Sequence, residues 1–193
     1  AGPRLIEINT TAGGALLNGL HTAALCDPER LSCLCADLLP VETMQTRIVR
    51  QFISELRAVR GPLAELHSVV IADERPHEQF LFPEFELLVK LFEQTGIRAE
   101  IRDTEELARP GDSLPDVVYL RDTDFTLASP RASRLRAAYL AGDVVVTPAP
   151  REHHLLANKR RLGLFSSPEA LTRLGVDPDD ARFLQRIVPE TRL

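Results

Sequence analysis

Between residues 68 and 147 the apolar positions fall into short runs of strand length, separated by stretches of helical period. Ser68-Val69-Val70-Ile71-Ala72-Asp73 is a continuous apolar run, the pattern of a strand buried on both faces. An amphipathic stretch over 77–95 follows, with Leu87, Leu88, Leu91 and Phe92 as its stripe and Gly96 placed to cap its end. Pro83 marks either the first turn of that helix or a break near its start. Strands are expected at 97–102, 116–121 and 143–147, with a helical turn at 104–108 and a helix at 130–141 ending at Gly142. Strands alternating with helices imply right-handed crossovers and a parallel sheet covered on both sides. The segment reads as a Rossmann-like α/β unit of about four strands.

On either side of this unit the pattern changes. Residues 4–9 alternate as a short strand, with Ile6 and Ile8 on one face and Leu5, Glu7 and Asn9 on the other. Thr10-Thr11-Ala12-Gly13-Gly14 breaks it, and helical patterns follow at 15–25 and 28–39, the second closed by Pro40. Over 41–60 the set Ile48, Val49, Phe52, Ile53, Leu56 and Val59 recurs at i, i+3, i+4, i+7, an amphipathic helix ended by Gly61-Pro62. Three further helices are expected at 152–165, 168–174 and 178–187. The organisation is thus an N-terminal segment (1–66), a Rossmann-like domain (67–150) and a helical C-terminal segment (151–193).

Composition narrows the function. A hydrophobic share of 44% with 26% charged residues argues for a folded core rather than disorder. A formal net charge of -5 offers no basic field for nucleic acid, although local cations and helix N-termini still hold small anions. No apolar run is long enough to span a bilayer and no signal peptide is seen, so no membrane partner and a cytoplasmic location are expected. Without that signal, the formal sequon Asn9-Thr10-Thr11 carries little weight. Cys26, Cys33 and Cys35 are odd in number and lack zinc-knuckle spacing, so plain thiols are expected. The chain begins without Met and both ends read as cuts, so a piece of a longer protein is expected.

Several chemistries fail at the level of motif. No Gly-x-Gly-x-x-Gly follows a strand, and Asp73-Glu74 after the first one is too acidic to welcome a pyrophosphate. Walker A and Gly-x-Ser-x-Gly patterns are absent. A phosphoacceptor domain of flavodoxin type fits loosely, because the third strand ends in Arg121-Asp122. Glu7 and Asn9, two apart on a strand, leave the same face with hard oxygen donors, the ligand type magnesium takes while bridging phosphates. The glycines after them allow close approach of backbone to a ligand. The plain alternative is a half-exposed strand face.

Leu5-Ile6-Glu7-Ile8-Asn9-Thr10, followed by Ala12-Gly13-Gly14, resembles the Glu-x-Asn metal motif of ATP-grasp ligases. Its position ahead of a Rossmann-like unit is similar to the circularly permuted ATP-grasp proteins, including those like glutathionylspermidine synthase. Val70-Ile71-Ala72-Asp73-Glu74 resembles the first strand of their pre-ATP-grasp domain. Asp116-Val117-Val118-Tyr119-Leu120-Arg121-Asp122-Thr123-Asp124-Phe125 resembles a second segment of it, and Asn158-Lys159-Arg160 the lysine that opens the nucleotide-binding lobe. Thr10-Thr11-Ala12 departs from the usual sequence after the motif, which leaves the substrate open.

The resemblance implies part of an ATP- and magnesium-dependent ligase joining a small-molecule carboxylate to an amine through an acyl-phosphate. Glu7 and Asn9 would bind magnesium, Lys159 a nucleotide phosphate, and Arg121 the substrate carboxylate or acyl-phosphate. Asp73 and Glu74 would orient the amine. Each residue has a plainer reading: Arg121 in a salt bridge to Asp122 or Asp124, Lys159 as a solvated lysine beside Arg160 and Arg161, and His153-His154 as exposed or capping residues. Nothing after Lys159 supplies the second lysine or the Gly-rich loop of the lobe, so the chain alone is expected not to turn over ATP. The competing class is a non-catalytic α/β domain that binds a small acid or a protein partner.

Overall fold

A computed structural model describes residues 2–11, 13–26 and 40–191. The helical pattern at 28–39, with Cys33 and Cys35, lies outside the described residues. The chain divides into two compact units, Ala12–Thr147 and the pair of segments Ala1–Thr11 and Pro148–Leu193.

The first unit is a Rossmann-like α/β fold. It contains helices α1 (Ala15–Leu25) and α2 (Val41–Arg60), then β1 (Ser68–Asp73), α3 (Phe82–Gln94), β2 (Arg98–Asp103), β3 (Val117–Leu120), α4 (Ser133–Ala141) and β4 (Val145–Thr147). The four strands form one sheet in the order β2-β1-β3-β4, and every pairing is parallel. Val69 pairs with Val117 and Ala72 with Leu120, so β1 and β3 end side by side. Side chains alternate across the sheet. Val69, Ile71, Val117 and Val145 pack with Leu16, Phe52, Leu88 and Phe92, whereas Val70, Ala72, Val118, Leu120 and Val146 pack with Leu107, Leu135 and Ala138. The continuous apolar runs therefore serve two cores. Helix α2 joins the first core through Val49, Phe52 and Leu56, and the Phe52 ring meets Phe92 and Tyr119 edge-on at 4.9 and 5.2 Å.

Element ends differ from the pattern by a few residues. The stretch at 77–95 begins as a single 3-10 turn, Pro76–Glu78, before α3 starts at Phe82 with Pro83 in its first turn. Pro is accepted there because the first-turn N–H has no intrahelical partner. The helical patterns at 104–108 and 130–141 likewise open as 3-10 turns, Thr104–Glu106 and Pro130–Ala132. Cys26 is disulfide-bonded, which corrects the expectation of a thiol at that position. Odd cysteine count alone was a poor guide, since one bridge needs only two of the three.

One buried carboxylate organises the start of this unit. Helix α1 has no side-chain cap of its own, because Gly14 precedes it in the left-handed region at φ 84°. Glu84, 5% exposed, caps it from α3 instead: its carboxylate accepts from Gly14 N and, at 3.0 Å, from Leu16 N.

In the second unit, α5 (Pro150–Leu156), α6 (Arg160–Phe165), α7 (Pro168–Arg173) and α8 (Pro178–Ile187) replace the three helices expected from pattern, the first having split at Ala157-Asn158-Lys159. Pro150, Leu162, Ala170, Leu171 and Val188 are buried among its described residues. Ser167 and Asp177 cap α7 and α8, accepting from Ala170 N and Asp179 N. Residues 2–9 form no strand, a correction to the pattern at 4–9. The segment lies against a helix end rather than a sheet edge: Leu5 N donates to Ile187 O at 2.9 Å and the Arg4 guanidinium donates to Arg186 O. Alternation needs a neighbouring strand to become a strand, and among the described residues this segment has none.

Removing the Glu84 carboxylate leaves two amides at a buried helix end without an acceptor, so Glu84→Ala is expected to cost about 3 kcal/mol. Urea unfolding of the two proteins measures it, and a cost under about 1 kcal/mol would mean that solvent satisfies those amides.

Candidate functional site

In the first unit, the chain direction of the sheet decides where chemistry collects. From β1 the chain moves to β2 on one side and then crosses to β3 on the other, so the order reverses between β1 and β3. Open α/β sheets bind ligands outside the carboxyl ends of their strands at such a reversal. Asp73 closes β1 there, Asp103 closes β2, and Arg121-Asp122 follows β3. An open groove of about 610 Å³ lies at the opposite end of the sheet, lined by Ser68, Arg98 and Leu114, where parallel strands do not gather ligands.

Three of the sequence-predicted residues, Asp73, Glu74 and Arg121, share this edge. Arg121 N donates to Ala72 O at 2.7 Å, which continues the sheet pairing one residue beyond β3. The Arg121 guanidinium donates to Tyr119 Oη at 3.2 Å, with its central carbon 5.2 Å from that ring. Gly13 comes so close that a Cβ there would overlap the guanidinium and stand 2.8 Å from Leu81 Cδ1. A glycine is therefore required at that point for Arg121 to hold its position. Tyr119 is pushed above its usual range, first by burial and then by the Glu84 charge.

Asp73 is 7% exposed and Asp122 3%. Asp73 Oδ1 accepts from Glu74 N at 2.8 Å, and Asp122 Oδ1 from Asp124 N at 2.9 Å. Burial pushes Asp73 up to about 6, its own backbone bond opposes this, and the neighbouring Asp122 charge adds to it. Glu74 is committed elsewhere: its carboxylate is 2.7 Å from Arg131, which also holds Asp103 at 2.8 Å. Burial works against the Asp103 charge, but backbone N–H groups of Glu105 and Arg75 and the Arg131 charge outweigh it and hold the carboxyl low. Asp124 is held low too, by Ser129 and Ala128 against burial.

Sequence reasoning missed Asp103, Arg131 and Glu84, and treated Asp122 only as a partner for Arg121. Arg131 carries no signal, being one arginine among many in a Pro-Arg turn. Glu84 did carry one: it stands at i, i+4, i+7 with Leu88 and Leu91, a carboxylate in phase with an apolar stripe.

The second unit brings together Glu7 and Lys159, the carboxylate standing 3.0 Å from Nζ, with about half of the Glu7 side chain and most of the Lys159 side chain exposed. Asn9 Oδ1 turns back on its own loop and accepts from Thr11 N at 3.0 Å, the Asx geometry that ends an extended segment. His153, half-buried rather than exposed, has Nδ1 2.7 Å from Thr10 Oγ1 and is pushed below its ordinary value by burial and by His154.

Among the described residues no group of three or more His, Cys, Asp or Glu is placed to hold a metal ion, and no helix is long and apolar enough to cross a membrane. A carboxylate and a carboxamide, as at Glu7 and Asn9, are donors that magnesium accepts when phosphate oxygens complete its shell. The chain matches no protein-family model, and no curated protein matches it.

The Asp73 shift has a definite sign. A carboxyl raised in the folded state binds its proton more tightly there, so stability is highest below the ordinary value of 3.8 and falls as pH rises through about 6. The fall is roughly 2–3 kcal/mol for a shift of this size. Asp103 and Asp124 act in a lower window, losing their stabilising contribution only as pH drops below about 4. Urea unfolding at a series of pH values should therefore show Asp73→Asn to be stabilising above about pH 7 and near neutral at about pH 4. A variant equally destabilised at both would show that Asp73 is held as a paired anion.

Proposed function

We propose that this chain is part of an ATP- and magnesium-dependent ligase that joins a small-molecule carboxylate to an amine through an acyl-phosphate. The observation that carries the reading is the 3.0 Å approach of Glu7 to Lys159, two residues far apart in the chain. A nucleotide phosphate and its counter-ion have opposite charges, and an acid and a base held side by side offer a partner to each. In this reading Lys159 binds a phosphate oxygen while Glu7 and Asn9 face the magnesium. Bound magnesium-ATP supplies the phosphoryl group that activates the carboxylate. Arg121, fixed by Tyr119 and by the close approach of Gly13, presents a cation at the end of a central strand, where it would bind the substrate carboxylate. Arg131 engages Glu74, so the amine falls to Asp73.

A second reading is a non-catalytic α/β domain. One observation favours it: the Asn9 amide oxygen is already used within its own loop. An exposed Glu–Lys pair is also an ordinary surface feature, worth about 0–1 kcal/mol.

Magnesium-dependent ATP binding by the full-length protein separates the two. Calorimetric titration is expected to show binding that weakens about tenfold or more in Glu7→Ala and in Lys159→Ala, since each loses a charge-assisted contact. Absence of binding by the unaltered protein, or equal binding by both variants, would favour the non-catalytic domain.

A further inference from the structure

The edge formed by β1 and β3 carries more negative charge than its cations answer. Five carboxyls, Asp73, Glu74, Asp103, Asp122 and Asp124, gather there with three arginines: Arg131 pairs with Glu74 and Asp103, Arg75 with Glu74 and Glu78, and Arg121 donates to Tyr119. Asp122 is the residue that the fold leaves incomplete. At 3% exposure it is inside the protein, and only Oδ1 has a donor; Oδ2 is buried with no hydrogen-bond partner. A buried carboxylate oxygen without a donor is costly, and a donor brought by a ligand would remove that cost. Asp73 closes β1 and Asp122 follows β3 by two residues, and Ala72 pairs with Leu120, so both carboxyls stand at the same end of neighbouring strands.

We propose that the edge at the carboxyl ends of β1 and β3 binds an organic ammonium group, held by the carboxylates of Asp73 and Asp122. An anion is disfavoured by the surplus of carboxylates. A bare divalent cation wants a larger set of converging carboxylates than the described residues bring together. A primary ammonium carries one charge and three donors, which suits two carboxylates that each already accept one backbone N–H. Position agrees with chemistry, since this is the reversal point of the sheet. Identifying this ammonium with the nucleophile of the ligation rests on the ligase reading; the binding itself does not. The inference also moves the amine contact from Glu74, which Arg131 holds, to Asp122.

The amides of Glu74 and Asp124 donate to the two carboxylates and report on them directly. The 15N-labelled chain is titrated with n-butylammonium chloride at roughly pH 7.5, where Asp73 is ionised. n-Butanol and magnesium chloride are titrated in parallel. The expected result is a saturable shift of both amide signals with n-butylammonium and none with n-butanol. Affinity should be about tenfold or more weaker in Asp122→Asn, which keeps the acceptor for Asp124 N but loses the charge. If that variant does not give a folded spectrum, Asp73→Asn carries the same comparison. The proposal is overturned by the absence of a saturable shift, by an equal response to n-butanol, by saturation with magnesium alone at lower concentration, or by unchanged affinity in the folded variant. Ammonium binding without magnesium-dependent ATP binding would sink the ligase reading and leave this site standing; the converse would remove the site alone.

Discussion

When β1 and β3 lie parallel and in register, two carboxylates that repel each other are carried to the same buried edge. Val69 opposite Val117 and Ala72 opposite Leu120 fix that register, and both strands are sealed in by cores on either face. A slip of one residue would turn every apolar side chain to the wrong face, so the pairing is strongly held. Asp73 and Asp122 then have no freedom to move apart with the strands. The rest of the edge is arranged around them: backbone N–H groups of Glu74 and Asp124 take one oxygen of each, and Arg131 draws Glu74 and Asp103 together beside them.

The same core supports the residue that faces this edge from above β3. Phe52 of α2 braces Tyr119, Tyr119 accepts from Arg121, and Gly13 leaves room for the guanidinium. Gly14, next in the chain, and Leu16 are held in turn by the Glu84 carboxylate at the start of α1. A buried carboxylate in α3 is thereby linked, through a glycine pair, to the position of the arginine. Sequence, packing and site geometry meet in that chain of contacts.

Much of the sheet unit was legible in the sequence because its signals are redundant. β1, β3 and β4 are apolar runs, helical period stands between strands, and the parallel topology follows from the alternation. The edge was only partly legible. Asp73, Glu74 and Arg121 follow directly from strand ends, but Arg131 reaches Asp103, at the end of β2, from a turn whose path no local pattern specifies. The alternation at 4–9 misled for a physical reason: Ile6 is 67% exposed, so half of the apolar set that suggested a strand has nothing to cover it. Glu7 nonetheless stands beside Lys159, on a segment tied to the end of α8 by Leu5.

The functional account depends on the edge being an electrostatic centre rather than an ordinary surface. Carbon-detected NMR titration of the Asp73 side-chain carboxyl, in the unaltered protein and in Asp122→Asn, measures this directly. Asp73 is expected to titrate near 6, pushed up first by burial and then by the neighbouring Asp122 charge, and to move down toward the ordinary value when that charge is removed. Titration of Asp73 at about 4 in both proteins, the value of a solvated aspartate, would contradict it.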